Sequence, residues 1–145
     1  MPESETDCLS LVVADSIRPE RNGKLIFVGV YTQVKLREKP KPGPLFVFAT
    51  IRTAKGPHEV GVLVTDVSAN KQMRLVGQQF ESSGHDAVGQ MTIEVEDFEF
   101  PNSGSYIFNL LIDNEPVGEH LAVVEFPEEA PAQPARKVRK KRTPS

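Results

Sequence analysis

The side chains best equipped for chemistry are three histidines that are far apart in the sequence. His58, His85 and His120 lack the closely spaced ligand pairs that zinc sites use, so we expect them in surface or loop positions. His85 is followed by Asp86 in a Ser/Gly-rich segment, and an aspartate can orient a histidine as a general base. No nucleophile can be assigned to this pair, so it indicates at most a small-ligand or enzymatic pocket.

Cys8 is the single cysteine, which excludes an intrachain disulfide and favours a reducing compartment. It opens an apolar run, which predicts a small strand residue rather than a nucleophile. The start of the chain is acidic, unlike a signal peptide, and its apolar runs are far shorter than the roughly 20 residues of a membrane helix. Phosphate-loop, dinucleotide and nucleophile-elbow motifs are absent. We therefore expect a cytoplasmic, non-enzymatic protein without membrane contact, metal or cofactor.

The net charge of −3 over 145 residues hides an uneven distribution. Segment 127–145 carries six basic and two acidic residues, a charge of +4, which leaves −7 for the rest. Such a run could neutralise several phosphates, so it predicts binding to nucleic acid or an acidic partner, although a tail that only improves solubility would have the same composition. The acidic body is not typical of a nucleic-acid reader. The six basic residues are Arg136, Lys137, Arg139, Lys140, Lys141 and Arg142.

The elements that must position these side chains follow a period of two, which is typical of β-strands with one buried face. Strand 45–52 is apolar on both faces, so it should be central or covered by another segment. Gly29 interrupts strand 25–36, which indicates a bulge or a close backbone approach. We predict little helix, a turn near 15–21, and eight strands at 9–14, 25–36, 45–52, 58–66, 72–80, 90–96, 105–113 and 117–126.

Turn signals separate the strands at the spacing of a sandwich or barrel. Asn22 and Gly23 predict a hairpin before residue 25, and segment 66–70 predicts another rather than a calcium loop. Beyond residue 126 the chain is rich in Pro and Ala and lacks large apolar residues, so it should be disordered. The predicted organisation is a flexible N-terminus at 1–7, a β-sandwich domain at 8–126 and a disordered basic tail at 127–145.

Segment 101–108, Pro-Asn-Ser-Gly-Ser-Tyr-Ile-Phe, resembles the tyrosine corner of immunoglobulin-like sandwiches. There a turn leads into a strand through a buried tyrosine whose hydroxyl bonds back to the backbone, roles that fall on Gly104 and Tyr106. Phe108 stands where antibody domains have cysteine, and the chain has no tryptophan. The likeness is therefore to the sandwich architecture and not to an antibody-type domain.

A broader resemblance covers residues 9–126. The segments Leu-Val-Val-Ala-Asp-Ser-Ile-Arg at 11–18, Asn-Gly-Lys-Leu at 22–25 with Gly-Val-Tyr at 29–31, and Gly-Ser-Tyr at 104–106 are similar to a family of small bacterial proteins of unknown function. The resemblance implies a single antiparallel, immunoglobulin-like sandwich and a bacterial origin, and no activity. Asn114 stands where the family has Gly in the last hairpin, and Asn tolerates the left-handed conformation.

These observations predict an interaction module that binds a protein partner through its loops or a sheet edge. Two alternatives stay open: a nucleic-acid-associated protein that uses the basic tail, and a ligand-binding or enzymatic pocket near His85 and Asp86. A second copy of the chain could also cover a sheet face, which sequence alone does not separate from burial within one domain.

Overall fold

The structure, a computed structural model, describes residues 6–127, and this part contains strands and no helix. The predicted basic tail and residues 1–5 lie outside the described residues, apart from Pro127. The described part has nine strands where the sequence predicted eight. They are β1 (Asp7–Pro19), β2 (Leu25–Val30), β3 (Gln33–Lys35), β4 (Gly43–Arg52), β5 (Gly56–Asp66), β6 (Lys71–Ser82), β7 (Gly89–Phe98), β8 (Gly104–Ile112) and β9 (Glu115–Glu125).

The strands form two sheets. Sheet A has the order β2-β1-β4-β7 and sheet B the order β3-β9-β8-β5-β6. The chain crosses from sheet A to sheet B between β4 and β5 and again between β7 and β8, the Greek-key path of an immunoglobulin-like sandwich. The predicted fold class is therefore confirmed. One pair departs from the antiparallel expectation, because β3 runs parallel to β9.

The core lies between the sheets because the inner strands alternate. In β4 every second residue from Leu45 to Ile51 belongs to the core cluster. Phe48 points the opposite way and is still only 7% exposed, because the ring of Phe27 in β2 lies 5.1 Å from its ring, centre to centre. Strand β4 is thus central within sheet A and also covered on its outer face, as its two apolar faces predicted.

This aromatic contact requires the β1–β2 hairpin to leave the plane of a flat sheet. Phe27 pairs with Ile17 and Phe48 pairs with Val12, five positions away along β1. A flat strand would hold those pairs about 16 Å apart, since each residue adds about 3.3 Å. The hairpin must therefore twist or bend, and its backbone leaves ordinary strand conformation at Gly29, which has a φ of +70°.

Two boundaries differ from the prediction. β1 does not turn at 15–21 but continues to Pro19, because β2 pairs with it through a hairpin loop of residues 20–24, in which the Glu20 N–H donates to Lys24 O at 2.7 Å. The predicted strand 25–36 is split into β2 and β3. Tyr31 N–H donates to Val13 O of sheet A, and Thr32 O accepts from Val123 N–H of sheet B. The chain therefore changes sheets between these two residues.

Candidate functional site

Strand β2 forms one edge of sheet A and is the least protected edge among the described residues. Its six residues include no charged side chain and no proline. Three of them, at alternate positions in the sequence, are exposed apolar residues: Ile26 at 42%, Val28 at 41% and Val30 at 38%. Edge strands usually avoid this combination, because it invites pairing with another strand. We take this edge as the candidate functional site.

The other three edges each carry a feature that discourages pairing. β3 has only three residues. β7 presents the acidic side chains of Glu94, Glu96 and Asp97, all exposed. β6 carries charges at Lys71 and Arg74, and its Phe80 ring fills the space above Gly89 at the start of β7. Of the described edges, β2 is therefore the one whose sequence contains none of these features that discourage pairing.

A cleft of about 240 Å³ lies at the end of β2 where the chain crosses between sheets. Its floor includes the aromatic rings of Tyr31, Phe98 and Phe100, and the hydroxyl of Tyr31 donates to Asp15 Oδ1 at 2.5 Å. Burial, followed by that hydrogen bond and the carboxylate charge, raises the pKa of Tyr31 above its usual value. The cleft is smaller than the roughly 300 Å³ of ordinary ligand pockets, and its phenol already has a partner.

His120 fixes the crossing from sheet A to sheet B. Its Nε2 lies 2.5 Å from Tyr31 O and its Nδ1 lies 3.2 Å from Leu11 O. The ring belongs to β9 of sheet B, while Leu11 belongs to β1 of sheet A. His120 is therefore a half-buried bridge between the sheets, whereas the sequence predicted a surface or loop histidine.

His58 is likewise bonded rather than free, with a side chain only 10% exposed. Its Nδ1 lies 2.7 Å from Asp113 Oδ2 and its Nε2 lies 2.7 Å from Ala54 O. Burial lowers the pKa of His58, but the Ala54 carbonyl, Asp113 and the charge of Glu81 together raise it above its usual value. The Glu59 N–H and His58 hold the pKa of Asp113 below its usual range. This pair joins β5 to the last hairpin and is a structural contact.

A second hollow, of about 360 Å³, lies over β5 and β6 of sheet B. Gly61 and Gly77 face each other there across the two strands, so no side chain fills the space between their neighbours. Arg74 and Asn114 both line the hollow, and Arg74 donates to Asn114 Oδ1 at 2.5 Å. Its lining is largely polar and includes Glu59, Gln78 and Gln79.

The predicted corner residues meet at the turn between β7 and β8. The hydroxyl of Tyr106, a fully buried side chain, donates to Asn102 O and accepts from Asn102 N–H at 3.1 Å. Gly104 has a φ of +148°, and a Cβ there would lie 3.2 Å from the Cβ of Ser68. These are the contacts expected of a tyrosine corner, whose role is to stabilise the fold.

The other predicted site residues are not brought together into a described site. His85 is half-buried and Asp86 exposed in the loop between β6 and β7, and neither lines the two cavities above. The basic residues from Arg136 to Arg142 lie outside the described residues. Within residues 6–127 no three His, Cys, Asp or Glu side chains are placed to hold a metal ion. The same residues contain no helix that could span a membrane.

Sequence reasoning placed residues 26, 28 and 30 in a strand but did not single them out. Their alternation with Leu25, Phe27 and Gly29 was the available signal. Whether alternate side chains are buried or exposed depends on which strand lies beyond them. That order is set by contacts distant in sequence, so an unprotected edge could not be identified from the strand alone.

The two sheets, the crossings from β4 to β5 and from β7 to β8, and the corner at Tyr106 define an immunoglobulin-like β-sandwich protein. Within that class, the chain belongs to a family of unknown function, DUF6941, whose model matches residues 9–124. No curated protein matches the sequence.

Solved structures with a similar fold include the alkylpurine DNA glycosylase AlkC of Pseudomonas fluorescens, bound to DNA containing an abasic site analog. The sequence identity is 13% and the TM-score 0.50, over 84% of this chain. The chain spans only 31% of that glycosylase. An immunoglobulin-like protein from Pseudomonas aeruginosa matches 86% of this chain and 100% of its own length, with 8% identity and a TM-score of 0.38.

Proposed function

We propose that this protein is a non-enzymatic interaction module that binds a protein partner along the β2 edge of sheet A. The observation that carries the proposal is the row of exposed apolar side chains at Ile26, Val28 and Val30 on a strand without charges. An edge strand of this kind offers backbone groups for hydrogen bonding and alternate side chains for specificity. A partner strand that covered the edge would form hydrogen bonds with these backbone groups and would contact these side chains.

The proposed setting is the cytoplasm of a bacterium. A single cysteine and the absence of a disulfide among the described residues support a reducing compartment. The likeness of the chain to small bacterial proteins supports the origin. Neither point bears on the partner's identity.

Site-specific photo-crosslinking tests the proposed edge. A photoreactive amino acid replaces Val28 in the full chain, expressed in native cells, and the matched control replaces Leu121, which is 55% exposed on β9 of the other sheet. We expect protein adducts at position 28 that are missing at position 121. The absence of any protein adduct at position 28, or the same adducts at both positions, would reject the proposed edge.

The basic residues support a second candidate, an accessory contact with nucleic acid. Six basic residues within positions 136–142 suffice for salt-dependent, sequence-independent binding to phosphates, whereas the −7 charge of the rest of the chain opposes it. Anisotropy titrations with DNA at two salt concentrations, using the full chain and a form ending at residue 126, test the contact. Binding that is unchanged by the truncation or insensitive to salt would argue against it.

A further inference from the structure

The open β2 edge suits one partner in particular, a second copy of this chain. We propose that two copies pair through antiparallel β2 strands about a twofold axis, which joins their A sheets into one continuous sheet. This inference rests on the proposed function of the β2 edge and names its partner. It predicts a homodimer whose centre is Val28.

The first support is that the sequence of β2 allows two copies of the strand to pair with each other. In an antiparallel pair that sets Val28 opposite its own copy, Ile26 falls opposite Val30 of the other copy. The side chains of the two Val28 residues then meet at the twofold axis, with the exposed Ile26 and Val30 as their neighbours along each strand. β-branched cross-strand pairs of this kind stabilise sheets, and no charge within Leu25–Val30 opposes a like charge. Isologous contacts of this type are the commonest in homodimers.

The second support is the distribution of charge along the hairpin. The loop end, residues 18–24, carries three basic side chains and one acidic, and all four are exposed. The opposite end of β2 adjoins the cleft, whose lining has the exposed carboxylates of Asp15, Glu38 and Glu99 and one lysine, Lys41. Arg37 and Lys39 belong to the same loop as Glu38 but do not line the cleft. Antiparallel pairing brings the basic end of one copy towards the acidic cleft of the other, whereas parallel pairing would align like ends.

A charge exchange at Val28 tests the dimer with the full chain. Sedimentation velocity of the wild-type protein should show a dimer. Val28→Arg and Val28→Asp should each give a monomer, because like charges then meet at the twofold axis. An equimolar mixture of the two variants should recover a dimer, since Arg and Asp are then opposite. Leu121→Arg, on the other sheet, is the matched control and should stay dimeric.

Several results would overturn the dimer. A wild-type monomer at all concentrations up to about 100 µM, a dimer that survives Val28→Arg, or a mixture that stays monomeric would each do so. Ile26→Asp provides a second variant should Val28→Arg fail to fold. A wild-type monomer that still forms adducts with another protein at position 28 would reject the homodimer and leave the proposed function standing. A lack of any adduct would reject both.

Discussion

The carboxylate of Asp15 lies over Gly29, directly where a side chain on residue 29 would have to sit. The Cγ of Asp15 is 2.9 Å from the position that a Cβ at residue 29 would occupy, and Gly29 has a φ of +70°. The same carboxylate accepts the hydroxyl of Tyr31. Residue 29 is therefore restricted to glycine by both its backbone conformation and its neighbour, at the place where the hairpin leaves the plane of sheet A.

Gly29→Ala should destabilise the domain by about 2–4 kcal/mol, from about 1 kcal/mol for the left-handed conformation and about 1–3 kcal/mol for overpacking. Gly23→Ala is the matched control. Gly23 also has a positive φ, of +85°, but nothing lies within 4 Å of its Cβ position. Gly23→Ala should cost only about 1 kcal/mol. Urea unfolding measures both, and equal losses would mean that the contact with Asp15 contributes nothing.

The sequence predicted a bulge or a close backbone approach at Gly29, because an isolated glycine within a strand often marks one of these, but the group that approaches closely is the side chain of Asp15. The break two residues later was missed. Tyr31 and Thr32 include neither glycine nor proline, so nothing local marks a boundary. The chain changes sheets there because Val13 and Val123 offer hydrogen-bond partners on opposite sides of the sandwich. Such partners are more than ten residues away in sequence, and a local pattern does not contain them.

Tyr106→Phe should destabilise the domain by about 1–3 kcal/mol, because a buried site loses the hydroxyl that bonds both the N–H and the C=O of Asn102. Tyr31→Phe is the comparison, since these are the two tyrosines of the chain. The hydroxyl of Tyr31 bonds to Asp15, which is exposed to water, so its loss should cost about 1 kcal/mol or less. Thermal or urea unfolding gives both values. A larger loss for Tyr31→Phe would contradict the structural role of the corner.

The contact between His58 and Asp113 should make stability depend on pH. The pKa of His58 is raised in the folded state, so protonated His58 stabilises the fold fully below its unfolded value of about 6.5. This contribution is lost as the pH rises through the higher folded pKa. The pKa of Asp113 is lowered, so its contribution is present above its unfolded value and is lost as the pH falls through the folded pKa. The wild-type protein should therefore lose stability between pH 6 and pH 8.

His58→Gln and Asp113→Asn identify the source of that loss. Free energies of unfolding in urea at pH 6 and pH 8 should differ less in either variant than in the wild type. In Asp113→Asn the side-chain oxygen can still accept the Glu59 N–H, so that variant removes mainly the charge. If the difference in unfolding free energy between pH 6 and pH 8 were as large in both variants as in the wild type, the pH dependence would come from other groups.

The two bridging histidines show a limit of sequence reasoning about sites. His58 was expected at the surface, since it has no histidine or cysteine nearby in sequence. Its partners are the carbonyl of Ala54 and the carboxylate of Asp113, one near in sequence and the other 55 positions away. His120 similarly contacts carbonyl groups 109 and 89 positions away. Every residue has a backbone carbonyl, so the residue types do not show which carbonyl a histidine will contact. Looking for other histidines, cysteines or carboxylates nearby in the sequence could therefore not reveal these contacts.

Cys8 should act as a packing residue with a slow thiol, which two measurements can establish. Its Sγ lies 2.6 Å from the Cβ position of Gly118, and burial raises the pKa of the thiol although a backbone hydrogen bond with Ser10 partly offsets this. Alkylation at pH 8 should therefore be slower in the folded protein than in urea. Gly118→Ala must displace the sulfur, so it should cost about 1–3 kcal/mol and accelerate alkylation.

The control for this pair is Gly77→Ala, whose Cβ would meet Val60 O at an ordinary 3.6 Å and which should leave the alkylation rate unchanged. Cys8→Ala combined with Gly118→Ala should recover part of the loss, because the sulfur is gone while the Cβ at residue 8 remains. The two substitutions should therefore be non-additive by about 0.5 kcal/mol or more. Strictly additive losses, or an alkylation rate in the folded protein equal to that in urea, would show that Cys8 does not pack against Gly118 and that its thiol is accessible.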